Sequence, residues 1–145
     1  MARFKDQAVM EAALAAQLEP GESLRHAAYG VKQPPLPLIV LLLLLGILPG
    51  VIAIAVMTKE YVVGLTDRRF LALRFKSSRI EVKEVLAWRL EALPPVRSST
   101  GGIFTHIALA DPARPFVAKF HRLGTPDNRP EAMAIAAELE AAGRG

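Results

Sequence analysis

Residues 36–57 constrain this chain most, because 22 consecutive positions carry no charged, amide or hydroxyl side chain. As one helix the run would reach about 33 Å, against a bilayer hydrocarbon core of about 30 Å. A helix apolar on every side needs apolar surroundings all round it. The other 123 residues of a 145-residue chain are too few to wrap it and also form a domain of their own. The run is therefore expected to meet a membrane, with Leu36, Leu41, Leu45, Pro49, Val51 and Met57 among its lipid-facing residues.

Three topologies are compatible with this run. Gly46, Pro49 and Gly50 fall together at its centre, where proline removes a helical hydrogen bond and glycine ends helices. A break there leaves arms 36–48 and 51–57, each too short to cross as a helix, so the segment would dip into one leaflet and return. Membrane helices also tolerate Pro and Gly, which preserves a straight span. Ala53-Ile54-Ala55 fits a signal-peptide cleavage site, but 35 residues containing four acids precede the run.

Charge assigns a side. The chain has 18 basic and 14 acidic residues, net +4, and a pI near 9.8, which suits an anionic membrane surface or nucleic acid. Lys59, Arg68, Arg69, Arg74, Lys76 and Arg79 follow the apolar run, opposed within that stretch by Glu60 and Asp67 alone. These six are the candidate lipid-headgroup residues, and if the segment spans, the positive-inside rule puts this side in the cytoplasm; the expected location is the cell membrane with the main domain on its cytoplasmic side. The bland alternative is a solvated face paired with Glu60, Asp67 and Glu81.

The flanking chain reads as short elements. Residues 4–18 predict a helix with Met10, Leu14 and Leu18 on one stripe beside Val9 and Ala13, and residues 24–31 predict a strand. After the insert, 61–66 and 70–75 form a hairpin about Asp67-Arg68-Arg69, with Asp67 expected to bond its own backbone. Tyr61, Val63 and Leu65 share one face, and Leu71, Leu73 and Phe75 another. Residues 79–85 and 86–90 predict two further strands, the second with Trp88, and 94–102 a loop. Strands follow at 103–109 (Ile103, Thr105, Ile107 and Leu109 on one side) and 116–120 (Phe116, Ala118 and Phe120). A last helix begins with capping-box spacing at Asn128 and Glu131, presents Ala132, Ile135 and Leu139, and stops at Gly143. The expected class is mainly β, an antiparallel sandwich or partly open barrel capped by the C-terminal helix.

Residues 18–22, Leu-Glu-Pro-Gly-Glu, and above all 61–71, Tyr-Val-Val-Gly-Leu-Thr-Asp-Arg-Arg-Phe-Leu, resemble the bacterial pleckstrin-homology (PH)-like domains. The resemblance implies seven antiparallel strands in two sheets closed by a C-terminal helix. It divides the chain into an N-terminal helix at 1–19 and a PH-like domain at 20–142 interrupted by the insert at 36–57. The insert then replaces the loop between the first two strands. If those strands pair, both its ends emerge on one side, which favours the dipping hairpin.

No chemistry-bearing constellation accompanies this frame. His26, His106 and His121 lack partners at metal-ligand spacing, and neither a Gly-x-Ser-x-Gly elbow nor a phosphate loop is present. Without cysteine, disulfides and thiolate sites are excluded. The expectation is a non-catalytic module without cofactor or metal, contacting membrane lipid and a protein partner or a second copy. The alternative is a soluble, basic, oligomeric module that binds nucleic acid and buries the apolar run between copies.

Overall fold

The computed structural model describes residues 7–76, 81–121 and 127–143. Its elements are α1 (Gln7–Ala15), β1 (Leu24–Lys32), α2 (Leu36–Leu44), α3 (Ile47–Met57), β2 (Lys59–Thr66), β3 (Arg69–Lys76), β4 (Glu81–Arg89), β5 (Val96–Gly101), β6 (Phe104–Leu109), β7 (Phe116–His121) and α4 (Asn128–Gly143). The fold is mainly β: one open, antiparallel, seven-stranded sheet in the order β4-β3-β2-β1-β7-β6-β5, with a C-terminal helix.

The sheet folds over on itself at β1 and β7, which among the described residues pair in register at Val31 and Lys119. Its two limbs share one core. Tyr61, Val63, Leu65, Phe70 and Trp88 of the first limb meet Ile107, Leu109, Phe116, Ala118 and Phe120 of the second, and Ala132, Ile135 and Leu139 of α4 fill the space between. Alternation puts Leu71, Leu73 and Phe75 on the opposite face of the first limb. There, Met10 and Leu14 of α1 cover them together with Val62 and Tyr29. The helical stripe and these four strand-face assignments therefore point where their spacing predicts, apart from Ile103, which precedes β6 and is exposed.

Other details differ from the sequence-based expectation. Residues 81–89 form one strand that absorbs a register shift opposite Arg74 and Phe75, so the two short strands predicted there merge. The stretch expected to be a loop contains β5, an edge strand paired with β6 from Val96–Leu109 to Gly101–Phe104. Its polar residues mimic a loop because an edge strand buries little, and pairing decides its conformation.

Asn128 also departs from its expected role as half of a capping box. Its buried Oδ1 accepts the Tyr29 amide at 2.7 Å, and its Nδ2 donates to the carbonyls of Tyr29 at 2.9 Å and His121 at 2.7 Å. One side chain thus bridges β1 and β7 where their ladder lapses. Glu131, the other half of the expected box, instead reaches His26 Nδ1 at 2.6 Å. Asn128→Ala should cost about 3 kcal/mol, because it strands buried backbone groups. Urea unfolding checks this, and a loss no greater than that of a surface alanine would refute the bridge.

Candidate functional site: an apolar hairpin and its cationic base

The insert is a helical hairpin. It breaks at Leu45-Gly46, earlier than the break expected at Pro49-Gly50, and Gly46 has φ 148°, a region closed to residues with a Cβ. Pro49 falls in the first turn of α3, where its missing amide costs no helical bond. Gly50 is the hairpin's single buried residue, and a Cβ there would lie 2.5 Å from the Leu42 carbonyl oxygen. The two helices therefore cross in close backbone contact.

α2 and α3 have nine and eleven residues, so they rise about 13 and 16 Å. No described helix is long and apolar enough to cross a membrane. All six residues expected to face lipid, Leu36, Leu41, Leu45, Pro49, Val51 and Met57, are exposed. Leu44 and Val56 each retain 79% of their accessible surface and Ile47 retains 77%, so the protein's own domain does not cover the hairpin. A contiguous apolar surface of this kind marks a partner or a lipid phase.

Pairing of β1 with β2 sets the base of the hairpin. The ladder runs from Leu24–Thr66 to Lys32–Lys59, and the hairpin's two legs leave it side by side. Lys32 thus lies directly across from Lys59, an unfavourable like-charge pair in isolation. Lys76 ends β3, one residue past its Glu60–Phe75 pair. Arg74 is half-buried two residues before that end, with Nε 3.9 Å from Glu84. Tyr29 donates its hydroxyl hydrogen bond to Glu60, and burial, then this carboxylate, raises the phenol's pKa.

The six cations predicted from sequence are thereby divided. Lys59, Arg74 and Lys76 belong to the hairpin end of the sheet, whereas Arg68 and Arg69 sit at the far end of β2, about 24 Å away. Arg79 lies outside the described residues. Arg69 is structural: its Nε and Nη2 grip the two oxygens of Glu22 at 2.9 and 2.6 Å, and its Nη2 also donates to the Gln17 carbonyl. Thr66 donates to Glu22 at 2.7 Å and accepts the amides of Arg68 and Arg69. Asp67 accepts the Ser23 amide at 2.9 Å, whereas the expectation was a bond to its own backbone. The Thr-Asp-Arg-Arg run therefore ties the β2–β3 turn to the segment before β1.

Sequence reasoning missed two cations at the hairpin base, Lys32 and Lys119. Lys32 is the last charge before the apolar run, as Lys59 is the first after it, and that symmetry was a usable signal. Lys119 becomes a neighbour only through the β1–β7 contact. Among the described residues, no three His, Cys, Asp or Glu side chains cluster as a metal site.

No protein-family model matches this chain, and no curated protein matches it. Among solved structures it is similar to the hSac2 domain from human phosphoinositide phosphatase Sac2. The match covers 94% of this chain and 79% of that one, with TM-score 0.52 and 11% identity. At that identity the likeness is one of fold alone.

The Glu22 site makes a pH prediction. The Arg69 hydrogen bonds, more than those from Thr66 and the Glu19 amide, outweigh burial and lower the carboxyl to about 2 from 4.5. A folded-state pKa below the unfolded one stabilises the fold fully above 4.5, and that contribution fades as pH falls towards 2. Melting temperature should drop across this window, and Glu22→Gln should be less stable at neutral pH with a flatter acid limb. An unchanged acid limb in that variant would show that Glu22 does not drive the loss.

Proposed function

We propose that this protein is a non-catalytic, PH-like binding module that attaches itself to the cytoplasmic face of a cell membrane. The α2–α3 hairpin enters one leaflet, and the sheet presents its surface to anionic headgroups and to a protein partner. One observation carries this reading: two short apolar helices, uncovered by the domain, leave adjacent ends of β1 and β2. Each helix is about as long as one leaflet's hydrocarbon depth, half of about 30 Å. Lys59 and Arg74 at the base suit headgroup contact, where each cation near an anionic surface contributes on the order of 1 kcal/mol. The fold likeness supports the mainly β architecture with its C-terminal helix and carries over no catalytic residue.

The protein should sediment with membranes, resist high-salt extraction and yield to detergent. Leu44→Asp combined with Val56→Asp should move most of it to the soluble fraction. Recovery of the unaltered protein without detergent would overturn the reading in favour of the soluble, nucleic-acid-binding alternative. Topology is tested separately by Ser23→Cys and Ser99→Cys, both at exposed positions. An impermeant thiol reagent should label neither in intact cells and both after permeabilisation. Labelling of one site alone in intact cells would refute a hairpin that returns to its own side.

A further inference from the structure

A cleft of about 540 Å³ opens where residues 33–35 carry the chain from β1 to α2. Its apolar wall includes Leu36 and Ile39 of the hairpin, and Val117 continues it on β7. Val117 and Lys119 alternate with core-facing Phe116, Ala118 and Phe120, so they project from the outer face of the second limb. Lys32, His106 and Lys119 line the same cleft, and among the described residues no carboxylate lines it. Among the described residues Lys32 forms no ion pair, and Lys119 Nζ rests 4.6 Å from the centre of the Phe104 ring. His106 is the register partner of Lys119, and its Nδ1 lies 3.5 Å from Ser99 Oγ.

We propose that this cleft binds the phosphate of one anionic membrane phospholipid. Lys119 on the outer face and Lys32, turned to the other face by alternation where β1 ends, reach the phosphate oxygens from two sides of the cleft, and the glycerol and upper acyl chain lie along Leu36, Ile39 and Val117. The assignment rests on entry of the hairpin into a leaflet, which sets the cleft at headgroup depth because Leu36 starts the buried segment and Lys32 precedes it by four residues. Two cations without a facing carboxylate select an anion. The apolar wall continuous with the hairpin selects a lipid over a free anion or a nucleic acid. This is a different surface from the far β2–β3 turn, where Arg69 is already saturated by Glu22.

The test uses the full chain and two vesicle types, phosphatidylcholine alone and phosphatidylcholine with an equal part of phosphatidylglycerol. Unaltered protein should bind both, and the anionic vesicles more tightly. Lys32→Gln with Lys119→Gln should erase most of that preference, about fivefold per lysine, and leave binding to neutral vesicles unchanged. Arg68→Gln removes the same charge at the remote end and should change little. If the double variant melts early, Lys32→Gln alone decides, with about a fivefold loss expected. An undiminished preference in the lysine variants, an equal loss from Arg68→Gln, or competition by inorganic phosphate at fixed ionic strength would overturn the proposal while leaving the hairpin reading intact. Failure to bind either vesicle type would overturn both.

Discussion

The ladder between β1 and β2 is the constraint on which the other features depend. It pairs residues 24–32 with 59–66 across the whole apolar insert, so the chain must leave and re-enter the sheet at one place. A straight 22-residue helix would carry the ends some 33 Å apart and is incompatible with that pairing. The turn at Gly46 and the close crossing at Gly50 are the local means by which the chain meets the requirement. The same ladder sets Lys32 against Lys59, concentrating charge at the base of the apolar hairpin.

The other half of the sheet is attached by different means. Among the described residues β1 and β7 pair in register at Val31 and Lys119. Asn128 supplies further bonds from a side chain, and α4 buries Ala132, Ile135 and Leu139 in the opening between the limbs. Closure therefore depends on a polar residue that is fully satisfied, since an unsatisfied amide in the same place would cost more than it stabilises.

Charge is sorted along the strands into two uses. At the end remote from the hairpin, Glu22, Thr66 and Arg69 neutralise and hydrogen-bond one another, with Glu22 itself buried. At the hairpin end, Lys32 and Lys59 face each other across the ladder and the nearby Glu60 is engaged by Tyr29. The remote cluster is neutralised within the fold, whereas like charges directly across a ladder are mildly destabilising. The separation of about 24 Å along β2 keeps these roles apart.

The sequence by itself determined the features that depend on local period and composition. Alternation in β2, β3, β6 and β7 assigned their faces, helical spacing placed Met10, Leu14, Ile135 and Leu139 in the two cores, and the uninterrupted apolar run required surroundings that the domain does not supply. Only the tertiary structure decided what depends on distant partners. Glu22 lies 47 residues from Arg69 and Asn128 lies 99 from Tyr29, and no local pattern records such pairs. β5 reads as a loop until β6 pairs with it, and Pro49 reads as the break until Gly46 is seen to take the turn. The cationic base was half legible: Lys59 stood out in the run after the insert and Lys32 held the matching position before it, but Lys119 joined them only when the ladders brought three strands together.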